Sequence, residues 1–379
     1  MVKRKTCFIA FLLILVFPVM TLAEDRNVKT HNNRGIAYYD KGDLDRAIAD
    51  YTKAIEINPR NARAYYNRGI AYHDKGDFDR AIADYNKAIE INPGYVKAYY
   101  KRGIAYHDKG DFDRAIANYN KAIEINSKFA EPFYDRGVAY YDKGDLDGAI
   151  ANYNKAIEIN PKFAEPFYNR GVAYRDKGDF DRAISDYNKA IEINPRNARA
   201  YYNRGVAYAK KEDFDRAISD YTTAIEINPR YAEPYYNRGV AHAKKEDFDR
   251  AIADYTRAVE INPTYAEPYN NRGVAYRDKG DFDRAIADFN KAIEINPRYA
   301  EPYYNRGIAY AKKEDFDRAI ADYTRAVEIN PMYAEPYYNR GVIYHKKEDF
   351  DRAIADYTRA AQLGNKNAQD ALRKSGITW

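Results

Sequence analysis

The sequence predicts an all-α chain, a stack of ten helical hairpins, and three observations point there. Asn-Arg-Gly or a close variant puts glycine at Gly35, Gly69, Gly103, Gly137, Gly171, Gly205, Gly239, Gly273, Gly307 and Gly341, always 34 residues apart. Inside each period the apolar positions follow helical spacing twice, with a turn signal between. The 379 residues include 40 tyrosines and 16 phenylalanines but one cysteine, so the core is aromatic and no disulfide framework can exist. One hairpin cannot cover its own apolar faces, so a strict period of this length means that neighbours stack.

Taken from the N-terminus, Lys3-Arg4-Lys5 precedes an apolar run from Cys7 to Met20, interrupted by Pro18, and Thr21-Leu22-Ala23 follows. A basic start, a short apolar stretch and small residues before a cut describe a secretory signal. The run is also shorter than the roughly 20 residues of a membrane-spanning helix. Residues 1–23 are therefore expected to be a signal peptide and 24–27 a short leader. The mature chain would be exported, periplasmic or secreted, in a bacterial envelope, with no stable membrane insertion; a retained anchor is the other reading. The net charge is +5, and three of the positive charges sit in that first segment. The remainder is close to neutral, which argues against holding nucleic acid by bulk charge.

Ten units follow, at 28–61, 62–95, 96–129, 130–163, 164–197, 198–231, 232–265, 266–299, 300–333 and 334–367. The unit Ala62–Tyr95 reads ARAYYNRGIAYHDKGDFDRAIADYNKAIEINPGY. Tyr65, Gly69 and Tyr72 lie on one face of a first helix; Phe78, Ala81, Ile82, Tyr85, Ala88 and Ile89 lie on one face of a second. Asp74-Lys75-Gly76-Asp77 is the turn: glycine ends one helix and aspartate caps the next. Asn92-Pro93 closes the hairpin, because proline disfavours helix in the residue before it. Gly69 costs about 0.5–1 kcal/mol relative to alanine inside a helix. A close approach must require it, with small Ala81 and Ala88 opposite and Tyr72 and Tyr85 filling the space beside. The last unit has Asn365 where the others have proline. Asn365 to Lys374 then reads as a capping helix with Ala368, Ala371 and Leu372 inward and Trp379 alongside, and 368–379 completes that cap.

Tyr65, Gly69, Tyr72, Ala81, Tyr85, Ala88 and Pro93 together resemble the signature of the tetratricopeptide repeat family, and the resemblance covers nearly the whole chain after the signal. It implies a right-handed superhelical α-solenoid whose first helices line the concave side. His31, Ser127, His242 and Phe289 depart locally from the signature. One departure is systematic: arginine, from Arg34 to Arg340, stands before every glycine where the family usually has leucine. Each guanidinium either folds against tyrosine and pairs with an acid of the second helix, such as Asp84 or Glu90, or lines a groove for acidic ligands.

No enzyme constellation or cofactor motif is present. The histidines (His31, His73, His107, His242 and His345) form no HExxH pattern, and the only cysteine, Cys7, lies in the signal. His73 and His107 share one repeat position and could approach each other. The Asp-Lys-Gly-Asp-Phe-Asp turns lack calcium-loop spacing and its final glutamate. The four serines follow no motif with the histidines, and isolated glycines cradle no phosphate.

Binding is the expectation instead. The resemblance places Tyr66, Tyr100, Tyr134, Tyr168, Tyr202, Tyr236, Tyr304 and Tyr338 in one row on the concave side. A second row holds Asn33, Asn67, Asn169, Asn203, Asn237, Asn271, Asn305 and Asn339, interrupted by Lys101 and Asp135. An asparagine amide both donates and accepts, so a ladder of them could hold an extended peptide's backbone without reading its sequence. Tyrosines beside it would add contact area at low entropic cost. Passive duplication with the hairpin would produce the same rows. Two residues before the first signature aromatic, Lys29, Arg63, Lys97 and Arg199 are basic, whereas Glu131, Glu165, Glu233, Glu267, Glu301 and Glu335 are acidic. The expected function is a non-enzymatic scaffold for a protein or extended peptide, in an oligomeric state that the sequence leaves open. The alternative is a glycan or cell-wall binder that stacks sugars on the tyrosines.

Overall fold

A computed structural model describes residues 26–379; the expected signal and the start of the leader lie outside the described residues. Among the described residues there are 21 helices and no strand. They group into two compact units, one ending at Ile193 and one running from Asn194 to Trp379. The first unit holds five hairpins, from the helix over 26–40 with Leu44–Ile57 to Ala164–Asp176 with Phe180–Ile193. The second holds five more, from Ala198–Lys210 with Phe214–Ile227 to Ala334–Lys346 with Phe350–Gln362, and then Lys366–Lys374. Within each unit a second helix packs on its own first helix and on the first helix of the next hairpin.

The turn chemistry is local. Gly76 adopts φ +78°, the left-handed geometry that glycine enters without a Cβ clash. Asp77 then accepts a hydrogen bond from the Arg80 backbone N–H at 3.1 Å and caps Phe78–Ile91. Four hairpins of the second unit make the same turn with a glutamate: Glu212, Glu246, Glu314 and Glu348 lie at φ 61°, 59°, 62° and 61°. A non-glycine residue costs roughly 1–2 kcal/mol there.

The core is a column of small and aromatic residues. Ala81, Tyr85 and Ala88 are fully buried, while Tyr72 is only half-buried. The reason for the helical glycine is more specific than two backbones in contact. A Cβ on Gly69 would stand 2.7 Å from Cε1 of Tyr85, so the glycine makes room for a ring. The Tyr85 and Tyr187 hydroxyls are buried without a hydrogen bond, and Phe289 fills the equivalent place against Gly273. In these three hairpins the site therefore uses the ring and not a hydroxyl, whereas Asn271 and Asn339 reach the hydroxyls of Tyr255 and Tyr323.

The arginines before the glycines knit the stack. Arg68 donates from Nε and Nη2 to the Asp84 carboxylate, both at 2.8 Å, and from Nη1 to Thr52 Oγ1 of the preceding hairpin at 3.0 Å. The hydrogen bonds to Asp84 hold the guanidinium above its ordinary pKa. Its carbon lies 5.7 Å from the Tyr65 ring centroid. Glu90 bonds instead with Lys87 at 2.7 Å. Two hairpins replace the acid: Arg102 and Arg136 donate to Asn118 and Asn152 at 2.7 and 2.6 Å, and burial without a carboxylate lowers both guanidinium pKa values. Of the two sequence readings, this geometry matches the one in which arginine serves the fold.

At the C-terminus Asn365 caps Lys366–Lys374, with Ala368 and Leu372 buried and Ala371 half-buried. Trp379 is not tucked alongside; it is 42% exposed. Ile377 packs on the cap instead, because the chain folds back there through the Ile377 N–H to Leu372 carbonyl bond.

Candidate binding surface

On the helix Ala232–Lys244, steps of four, three and four residues keep Glu233, Asn237, Val240 and Lys244 within one stripe. The same offsets recur in each hairpin. The first-helix face thus carries, in order, a charged rim, the asparagine row, an aliphatic row and a second charged rim. The aliphatic row (Ile70, Ile104, Val138 and Val172 in one unit, Val206, Val240, Val274 and Ile308 in the other) is half-buried, and Val342 is 41% exposed. Neither this row nor the second rim was singled out from sequence; both obey the 34-residue period, one and five residues after each helical glycine.

The tyrosine row flanks the stripe. Tyr66, Tyr100, Tyr134, Tyr168, Tyr202, Tyr236, Tyr304 and Tyr338 are all half-buried, and each ring packs on another. Tyr236 lies 6.0 Å from Tyr255 and 5.2 Å from Tyr265, centroid to centroid. Tyr338 lies 5.8 Å from Tyr357. These contacts make the row part of the aromatic core edge more than a free stacking platform.

The asparagines do not stand as a separate row, because they tie successive hairpins together. Asn169 donates to the Tyr134 hydroxyl at 2.8 Å, Asn237 to Tyr202 at 3.0 Å, Asn271 to Tyr236 at 3.2 Å and Asn339 to Tyr304 at 3.2 Å. Where asparagine replaces the tyrosine, the link persists: Asn67 to Asn32 and Asn305 to Asn270, both at 3.1 Å. Asn203 is buried and donates to the Arg199 carbonyl at 3.0 Å, whereas Asn33 is exposed. An amide–hydroxyl pair keeps at least one further donor and one acceptor in either amide orientation. The links therefore use much, not all, of the ladder's hydrogen-bonding capacity.

Asp135 interrupts the asparagine row and accepts from the Tyr100 hydroxyl at 2.6 Å. Burial pushes its carboxyl up to about 6, against the opposing effect of that hydrogen bond. An acid raised in this way is penalised above its folded pKa and unpenalised below its unfolded value, near 4. Asp135→Asn is accordingly expected to stabilise the first unit by about 1–2 kcal/mol above pH 6 and to lose that advantage below about pH 4. Urea unfolding of both proteins at pH 7.5 and pH 4 checks the sign.

The second rim differs between the units. In the first unit, cross-hairpin bonds occupy it: Tyr39 to Asp74, His73 to Asp108 at 2.8 Å, His107 to Asp142 at 2.9 Å and Tyr141 to Asp176 at 2.5 Å. His73 and His107 each engage an aspartate and not each other. In the second unit Ala209, Ala243 and Ala311 stand at those His and Tyr positions, next to exposed Lys210, Lys244 and Lys312. At Ala243 the small side chain borders a hollow of about 490 Å³, lined also by Val240, Lys244, Val274, Ala275 and Asp278, among others.

No cluster of three or more His, Cys, Asp or Glu side chains that could hold a metal occurs among the described residues. No described helix is long and apolar enough to cross a membrane.

Three family models match the chain. One described as TPR repeat matches residues 35–76, 105–144, 137–176, 171–212, 273–314 and 309–348, more than half of the chain. Two described as tetratricopeptide repeat match 62–95, 198–231, 232–265 and 334–367, and 84–117 and 254–287. No match was found among curated proteins. Among solved structures the chain is similar to the Cut9-Hcn1 hetero-tetramer of APC/C at 17% identity and TM-score 0.51, covering 96% of this chain and 94% of that one. A tetratricopeptide repeat protein from Parabacteroides merdae matches at 20% identity and TM-score 0.50, over 66% of this chain and 99% of that one. YrrB, described as a TPR protein with an unusual peptide-binding site, matches at 30% identity and TM-score 0.42, over 52% and 97%.

Proposed function

The chain belongs to the tetratricopeptide repeat family, and from that premise we propose that it is a non-enzymatic scaffold holding a segment of a partner protein along its first-helix face. One observation supports this above the rest: a stripe of charged, amide, aliphatic and charged residues recurs down each unit, on helices whose other faces are used for stacking. A folded array spends no conformational entropy arranging such contacts, so only the bound segment is ordered on association. The same proposal places the protein outside the cytoplasm, in line with the signal-like first 23 residues.

A photocrosslinker at Val274 tests the surface, with one at exposed Arg257 on a second helix as the control. Crosslinks to a protein segment are expected from Val274 and not from Arg257. Equal yield from both positions, or carbohydrate adducts alone from Val274, would overturn the reading. The packed tyrosine rings give the glycan alternative no specific support.

A further inference from the structure

We infer that the first-helix face of the second unit takes an amphipathic helix with unlike-charged flanks, its basic flank against a glutamate rim and its acidic flank against a lysine rim. This rests on the partner-binding reading above and names the partner's chemistry.

The rims come first. Glu233, Glu267, Glu301 and Glu335 are exposed one residue into successive first helices. At the other ends of those helices stand exposed Lys244, Lys312 and Lys346. The chain pairs its charges freely elsewhere: the adjacent Lys245, Lys313 and Lys347 bridge to Asp215, Asp283 and Asp317. None of the four rim glutamates or three rim lysines has an opposite-charge partner among the described residues. Asp278 interrupts the lysine rim and is neutralised by Arg277 at 2.9 Å. Lys346 Nζ lies 4.5 Å from the Phe316 ring centroid, a contact that leaves its charge uncompensated. Two rims of opposite sign without opposite-charge partners, facing one strip, select a ligand carrying both signs on separate flanks.

Dimensions favour a helix over an extended strand. Eleven residues separate Glu233 from Lys244, about 16 Å along the helix axis. A helix with its side chains is about 10–12 Å across, so its long charged side chains reach both rims. First helices of successive hairpins meet only at their edges, so their spacing is at or somewhat above the roughly 8–10 Å of closely packed helices, near the ~10.5 Å rise of seven helical residues. Charges repeated every heptad on the ligand therefore keep step with the hairpins. Between the rims the floor carries the asparagine row on the glutamate side and the aliphatic row on the lysine side, with the hollow between Val240 and Val274 open to an apolar side chain. The Asn237, Asn271 and Asn339 amides already donate to tyrosines, which leaves less for an extended backbone to use, and a helix needs none of it.

A helix turned end for end exchanges its flanks. The charge pattern should therefore also set the direction in which the partner runs.

The probes are fluorescent designed helices of about three heptads with one apolar face, titrated by anisotropy against the full chain. One has a Lys flank and a Glu flank, one has both flanks Lys, one has both flanks Glu, and a fourth repeats the first composition with central prolines. The unlike-flank helix is expected to bind at least about tenfold more tightly than the others and to weaken with salt. Lys244→Glu with Lys312→Glu, both at exposed positions, should transfer the preference to the all-Lys helix. A crosslinker at the probe's N-terminus should switch between the seventh and tenth hairpins when the flank charges are exchanged. Equal affinity of all helices, a preference unmoved by the double substitution, or binding of the proline-broken peptide alone would overturn the inference. The last result, together with crosslinking from Val274, would leave the scaffold reading standing.

Discussion

Tyr255→Ala is expected to destabilise the second unit by about 3–5 kcal/mol, the range for emptying a large aromatic site in a packed interior. The ring is 2% exposed. It fills the space over Gly239, where an added Cβ would meet Cε1 at 2.7 Å, and the Tyr236 ring borders it at 6.0 Å. No neighbour can collapse into the gap without moving a helix, because the facing position has no side chain. Stability in a stacked array is approximately a sum of hairpin and interface contributions. The loss should therefore separate an early urea transition from the rest of the unfolding curve, and not merely shift one midpoint. Tyr255→Phe is the control, within about 1 kcal/mol of the parent, since Phe289 does the same work in the next hairpin. A cost below 1 kcal/mol for the alanine variant would mean that the ring is not core.

Arg68→Ala should cost a similar amount in the first unit, about 3–5 kcal/mol, for an electrostatic reason. Asp84 is 5% exposed and receives both of its charge-assisted bonds from Arg68. Removing the guanidinium strands a buried carboxylate and also removes the bond that Thr52 Oγ1 on the preceding hairpin accepts. Arg68→Lys should recover only part of the loss, because an ammonium cannot make the two-pronged contact and reach Thr52 together. Replacing both partners, as Arg68→Met with Asp84→Leu, should recover most of it, because no charge is then left unpaired. Chemical unfolding of the four proteins measures this. A double variant no better than Arg68→Ala alone would show that packing of the arginine stem, not its charge, is what matters.

These expectations draw on different levels of the molecule. The hairpins could be read directly: Asp77 as a cap, Gly76 as a turn and Asn92-Pro93 as a stop each act on residues within one helical turn. The glycine at position 69 and its fellows could be located, but their cause could not, because the ring that needs the space is 16 residues further along the chain. The same separation hid the choice of Asp84 over Glu90 as the arginine's partner. Trp379 was misplaced for a related reason: whether a terminal side chain packs depends on which neighbour takes the slot first, and Ile377 does.

The candidate surface shows the division most clearly. Two parallel rows of tyrosine and asparagine are visible as a repeat, yet the bonds from Asn237 to Tyr202 and from Asn271 to Tyr236 make them one ladder, part fastening and part surface. The aliphatic row and the lysine rim follow the same period and were open to sequence reading, but nothing local marks Val240 as half-exposed while Ala241 beside it is buried. Repetition by itself determined the family, the hairpin and the register of every element, because caps, turns and helical periodicity are short-range. Which side chains serve the stack and which remain for a partner was decided only in three dimensions, since burial and pairing belong to contacts within and between hairpins, 16 to 35 residues apart in the chain.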